Sequence, residues 1–186
     1  MNPLEKLRLQ AGKYFFRKSL SRVRRNPEIT NLREAKTIGI VYNATDEAKY
    51  PVVCDFVKYL QDKDKTVKAL GFLNYKIVPH YCFPKLCYDY FTRKDLNWFL
   101  KPGHSFVNDF INNPFDLLID LNIENNFPLL FVSNLSKAKY KVGKYSDENK
   151  AIYDFMINEG ESVTLEEYIN HIVHYLKIIN AKPNEQ

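Results

Sequence analysis

Glycine is scarce in this 186-residue chain, at six, and cysteine scarcer, at three. With nine prolines and no internal repeat, collagen-like and low-complexity architectures are excluded. Cys54, Cys82 and Cys87 are too few, and odd in number, for the dense disulfide framework of a small secreted domain. No stretch approaches the roughly 18 uncharged apolar residues of a bilayer-spanning helix. The amino-terminal region also lacks the apolar run of a secretory signal. Neither a G-x-G-x-x-G turn nor a P-loop occurs, so the glycine-rich cradles for dinucleotides and nucleoside triphosphates are missing. What is present is 45% apolar, 15% aromatic and 26% charged, the composition of a folded domain. A chain of this length buries about 70% of its unfolded surface and needs no staple. The expected location is a reducing cytoplasm.

Positive charge is unevenly placed. Residues 1–26 carry eight basic side chains against Glu5, a balance of +7, so a whole-chain charge of +5 leaves −2 for the remainder. Such asymmetry points to an anionic partner and says nothing of the fold.

Periodicity divides the chain into an amino-terminal basic helix, 1–26, and an α/β domain, 37–186. Residues 3–25 read as a helix stopped at Asn26-Pro27. Leu4, Leu7, Ala11, Tyr14 and Phe15 share one face, while Leu9, Phe16, Leu20 and Val23 share the opposite one, which predicts packing on two sides or a bend at Gly12. Residues 26–36 read as a linker. Strands are expected at 37–42, 66–73, 86–91, 116–121 and 140–144, and helices at 47–63, 104–112, 127–138, 149–158 and 165–179, with a short helical turn at 95–100. Alternation of this kind predicts a single three-layer α/β domain: a mostly parallel four- or five-stranded sheet, helices on both faces, and the basic helix at its periphery. The apolar runs 37–42 and 116–121 should be central neighbours.

Thr37–Asp46, Lys94–Trp98 with Lys101-Pro102, Asp116–Asn122, Asn125–Leu129 and Ser136–Lys139 together resemble an uncharacterised bacterial domain family. The resemblance implies a small cytoplasmic α/β protein without a known activity. Residues 116–122 and 135–143 are also similar to a stretch in the amino-terminal half of heptosyltransferase-like glycosyltransferases, where a DLVIDL strand precedes a helix and an A-x-x-x-x-G strand. That similarity implies a sugar-type ligand.

Ligands of doubly wound sheets sit beyond the carboxyl ends of the strands, where strand order reverses. Asn43, Thr45, Asp46, Asn74, Asp120, Asn122 and Asn125, with Glu124, would line that crevice. The polar rim suits a small polar ligand, but the same residue types also cap turns through their own backbone. Asp46 at the first turn would repel an anion. His80, Cys82 and Cys87 offer three zinc donors where structural zinc takes four, so ordinary packing is the alternative, and no metal or cofactor is assigned. Ser133 and Lys137 lie four apart on a helix without a catalytic constellation, so no catalytic residue is assigned. The aromatics of 72–99 suit either a partner surface or a self-burying connection.

In the arm, Lys13, Arg17, Lys18, Arg22, Arg24 and Arg25 are candidates for contact with an anionic surface, membrane or nucleic acid, or with a protein partner. A docked helix with solvated charges is the alternative. The expected function is a non-catalytic binding or adaptor domain acting through the arm and an aromatic surface, with the inner membrane surface as one place it would sit. A glycosyltransferase-like domain, degenerate or partner-dependent, with a sugar-type ligand at the strand ends is the second reading.

Overall fold

A computed structural model describes residues 3–20, 25–82, 86–124, 126–160 and 162–179. Six strands form one fully parallel sheet in the order β3-β2-β1-β4-β5-β6. They are β1 Thr37–Asn43, β2 Thr66–Leu73, β3 Tyr88–Thr92, β4 Leu117–Asp120, β5 Tyr140–Lys144 and β6 Phe155–Ile157. Around them lie α1 Pro3–Leu20, α2 Tyr50–Gln61, α3 Ser105–Asn112, α4 Phe127–Leu135 and α5 Leu165–Ile178. The two central runs are neighbours, with Ile38 opposite Leu117 and Val41 opposite Asp120. Their unbroken apolar character reflects burial on both faces.

Side-chain alternation sorts the core. Ile38, Ile40, Leu117 and Ile119 face α2 and α5, where Val53, Val57, Tyr168 and Ile172 meet them. Val41, Leu70 and Leu118 face α3 and α4 through Val107, Phe110, Leu129 and Val132. Asp120 therefore points toward the α4 side of the sheet. A third cluster fastens α1 outside α4: the Phe16 ring lies 5.1 Å from Phe131 and 5.5 Å from Phe127.

Four expectations are corrected. The sheet has six strands, because the 149–158 region is not a helix but a single helical turn, Asp147–Ala151, followed by β6. Ser146 caps that turn, and Phe155, Met156 and Ile157 then pair with Val142, Gly143 and Lys144 along the free edge of β5. The helix of 127–138 stops at Leu135, because Ser136 turns extended and Lys137 donates its N–H to the Ile111 carbonyl. The turn expected at 95–100 falls at Arg93–Asp95, fixed by a reciprocal Thr92–Asp95 capping box. The stretch read as a linker packs against the body: Leu32 and Ala35 are buried, and Leu32 donates its N–H to the Leu176 carbonyl.

Candidate functional site

Two neighbouring regions divide the residues expected at the strand ends. Beyond β1, Asn43 Oδ1 accepts the Thr45 N–H, Asp46 Oδ1 accepts the Ala48 N–H, and Thr45 Oγ accepts the Asn74 N–H at 2.9 Å. These four residues shape turns. Lys49 Nζ, 3.2 Å from Glu124 Oε1, spans from the β1 loop to the β4 loop, and the space left there among Tyr42, Asn43 and Leu121 is about 10 Å³. Asp120 and Asn122 instead meet in a cleft between the carboxyl ends of β4 and β5, of about 190 Å³. Asn125, Arg22 and Arg24 lie outside the described residues.

Asp120, 2% exposed, is the hub of this cleft. Its carboxylate accepts from Ser133 Oγ at 2.8 Å, the Asn122 N–H at 2.9 Å, the Asn122 side-chain amide and the Tyr153 hydroxyl. Burial raises its pKa, and the four donors oppose that rise without cancelling it. Burial and the Asp120 charge together push the Tyr153 phenol well up. Asn149 and Lys144 complete the wall, with Asn149 Nδ2 donating to the Lys144 carbonyl at 2.8 Å and Lys144 Nζ to the Ile123 carbonyl at 3.2 Å.

Lys141, on β5, is 1% exposed. Its Nζ donates to the Ser133 and Asn134 carbonyls at 2.7 and 2.9 Å, at the end of α4. Desolvation, with help from the Arg25 charge, lowers its pKa to about 7. Tyr153, Asn149, Lys141 and Lys144 escape sequence reasoning. Tyr153 and Asn149 fall in the segment misread as helix, and Lys141 sits where polar alternation along β5 would place an outward side chain, in a strand that is buried on both faces.

Sequence-predicted chemistry elsewhere resolves into packing. The Ser133 hydroxyl is engaged by Asp120. Burial pushes the Cys82 thiol up to about 11. Among the described residues no three of His, Cys, Asp and Glu are grouped to hold a metal ion. In the aromatic segment Phe72, Tyr88, Tyr90 and Phe91 are buried, while Tyr75 and Trp98 are exposed.

The arm is the second candidate region. Gly12 and Phe16 are buried against the body, and Arg8 reaches the Trp98 carbonyl with Nε at 2.7 Å. The opposite apolar face is open: Leu4, Leu7, Tyr14 and Phe15 are 63%, 54%, 63% and 42% exposed, with Trp98 at 52%. Lys6, Lys13, Arg17 and Lys18 lie exposed along the same helix. Arg25 is drawn inward, 2.6 Å from Asp154.

A parallel sheet in the order 3-2-1-4-5-6 with helices on both faces defines a doubly wound α/β domain. Residues 8–179 match a family of unknown function, DUF6913, and the chain belongs to that family. No curated protein and no solved structure matches it, so the heptosyltransferase-like resemblance gains no support from them. Among the described residues no helix is long and apolar enough to cross a membrane.

Proposed function

We propose that this protein is a non-catalytic, peripheral adaptor that holds its α/β domain against an anionic lipid surface through α1, on the cytoplasmic side of the inner membrane. The observation that carries this reading is the double use of α1. One face is committed to the body through Gly12 and Phe16, and the other offers Leu7 and Tyr14 to solvent, with Phe15 half-exposed at its edge against Phe99. A helix docked only for stability gains nothing from large apolar groups on its outer face. Apolar and aromatic groups flanked by lysine and arginine are what an interfacial helix buries at the headgroup boundary. Trp98, carried to α1 by the Arg8 bond and by the 4.5 Å ring contact of Phe15 with Phe99, adds an amphipathic anchor. Lys6, Lys13 and Arg17 each contribute on the order of 1 kcal/mol near such a surface.

Co-sedimentation with phosphatidylserine-containing vesicles tests the reading. Wild-type protein is expected to pellet with them and to remain in solution with purely zwitterionic vesicles. Tyr14→Ser with Phe15→Ser is expected to weaken pelleting about tenfold or more, since burying either ring is worth roughly 1.5–3 kcal/mol. Binding of single-stranded RNA that is indifferent to both serine substitutions, with no vesicle binding, would replace the lipid surface by a nucleic acid.

A further inference from the structure

The loop that follows β2 is fastened at both ends. At its start the Asn74 N–H donates to Thr45 Oγ1 at 2.9 Å, and the Tyr75 carbonyl accepts the Arg93 N–H at 3.0 Å. At its end the Tyr81 hydroxyl donates to the Thr45 carbonyl at 3.2 Å. Between these ties Ile77 is 75% exposed and Val78 40%, with Lys76 exposed beside them. A single exposed aliphatic side chain is ordinary on a protein surface. Here two adjacent ones are held out into solvent by a loop with a fixed base, and they do not stand alone.

The base of this loop and the amino-terminal half of α1 wall one open crevice of about 420 Å³. Asn74 and Arg93 line one side, Glu5 and Arg8 the other, and Phe72 and Phe127 lie among the lining groups. Leu4 and Leu7, the exposed neighbours of Glu5 and Arg8, stand on the α1 side, as does Trp98, whose carbonyl Arg8 holds. Exposed apolar groups therefore flank the crevice on both sides. Its own charge is positive, two guanidiniums against Glu5. Asp46 and Glu47 belong to the turn after β1 and do not line it. A folded partner would have to supply a pocket for each projection, whereas lipid headgroups part around apolar groups and leave them at the acyl boundary. Resting on the reading of α1 as an interfacial helix, we propose that residues 75–78 are a second insertion point on the same anionic bilayer, with a lipid phosphate seated between the two on Arg8 and Arg93. Ile77 and Val78 enter the acyl boundary on one side of that headgroup, and Leu4 and Leu7 on the other. Guanidinium groups suit the phosphate, whose oxygens they can meet in pairs.

The test uses the full chain and vesicles of phosphatidylcholine mixed with phosphatidylserine. Ile77→Ser with Val78→Ser should weaken co-sedimentation about tenfold or more. Both side chains are exposed, so the melting temperature should not move. Arg93→Gln should weaken it about fivefold. Depth is read separately with the Ile77→Trp, Trp98→Phe chain, which has one tryptophan because Trp98 is the only one in the sequence. Its fluorescence should be quenched by lipids brominated on the acyl chain. Unchanged affinity in the Ile77→Ser, Val78→Ser chain, while Tyr14→Ser with Phe15→Ser still weakens pelleting, overturns the second insertion point and leaves the α1 reading intact. So does absence of quenching in the vesicle-bound Ile77→Trp, Trp98→Phe chain. Unchanged affinity in Arg93→Gln overturns the seating of the phosphate. A wild-type chain that binds no such vesicle removes both this proposal and the α1 reading.

Discussion

Asp116 and Asp120 lie four residues apart at opposite ends of β4 and are held in opposite senses. Burial pushes the Asp116 carboxyl up, but the Thr37 N–H, Lys139 and the Lys36 N–H outweigh it and hold it at about 2. A carboxyl depressed in the folded state stabilises above its unfolded value of 3.8, and that contribution is lost as pH falls toward 2. The melting temperature should therefore fall steeply between pH 4 and pH 2. Asp116→Asn should flatten that fall and cost about 1–3 kcal/mol at neutral pH. Lys141 gives the reverse test. Its folded pKa of about 7 lies below the ordinary 10.5, so the unfolded chain binds more protons across that interval and stability rises with pH. Lys141→Met should flatten the rise between pH 7 and about pH 10, above which tyrosines titrate. Thermal scans across pH on paired samples read both effects.

At the scale of elements, the seating of α1 turns on one close approach. A Cβ at Gly12 would lie 2.7 Å from the Phe99 carbonyl oxygen and 2.8 Å from the Phe127 ring. Alanine is worth about 1 kcal/mol more than glycine inside a helix, so Gly12→Ala would stabilise an isolated α1. Docked, it must push against backbone that cannot rotate away. The expected outcome is faster hydrogen exchange throughout α1 and unchanged protection in β1 and β4. Slower exchange in α1 would mean that the helix is not seated on Phe99 and Phe127. Phe16→Ala should act in the same direction and cost about 3 kcal/mol, by opening a space against Phe131.

For the whole molecule, the arm's +7 beside a body of −2 makes the proposed association with an anionic surface a matter of long-range charge. Screening shortens the reach of such charges from about 10 Å at 0.1 M salt to about 3 Å at 1 M. Vesicle binding should fall steeply over that range in the wild type. The dependence should be shallower in Lys13→Glu with Arg17→Glu, whose binding is already weak at low salt. Removal of residues 1–26 is a poor substitute for these substitutions. It would uncover Phe131, Ile152 and Tyr153 and strip Asp154 of Arg25, so the body itself should melt several degrees lower.

Local grammar determined a good part of this protein. The apolar runs at 37–42 and 116–121, short and bounded by turn residues, read as doubly buried strands, so the parallel sheet and its central pair were legible from residue order. Thr164 and Glu167, which close a capping box in the structure, marked the start of α5. The two apolar faces of α1 were equally legible, because helical spacing is a property of the chain itself. Which face is covered was decided by the fit of Gly12 against Phe99, a residue 87 positions away in sequence. Residues 149–158 read as a helix, and the free edge of β5 instead drew Phe155–Ile157 into a strand. The expected rim also divided in space: Asn43 and Asp46 bond to their own turns, whereas Asp120 finds Ser133 and Tyr153 only once α4 and β6 have packed. Short-range hydrogen bonds follow from spacing along the chain, but the meeting of Asp120, Asn122 and Asn149 around one cleft depends on how the layers stack.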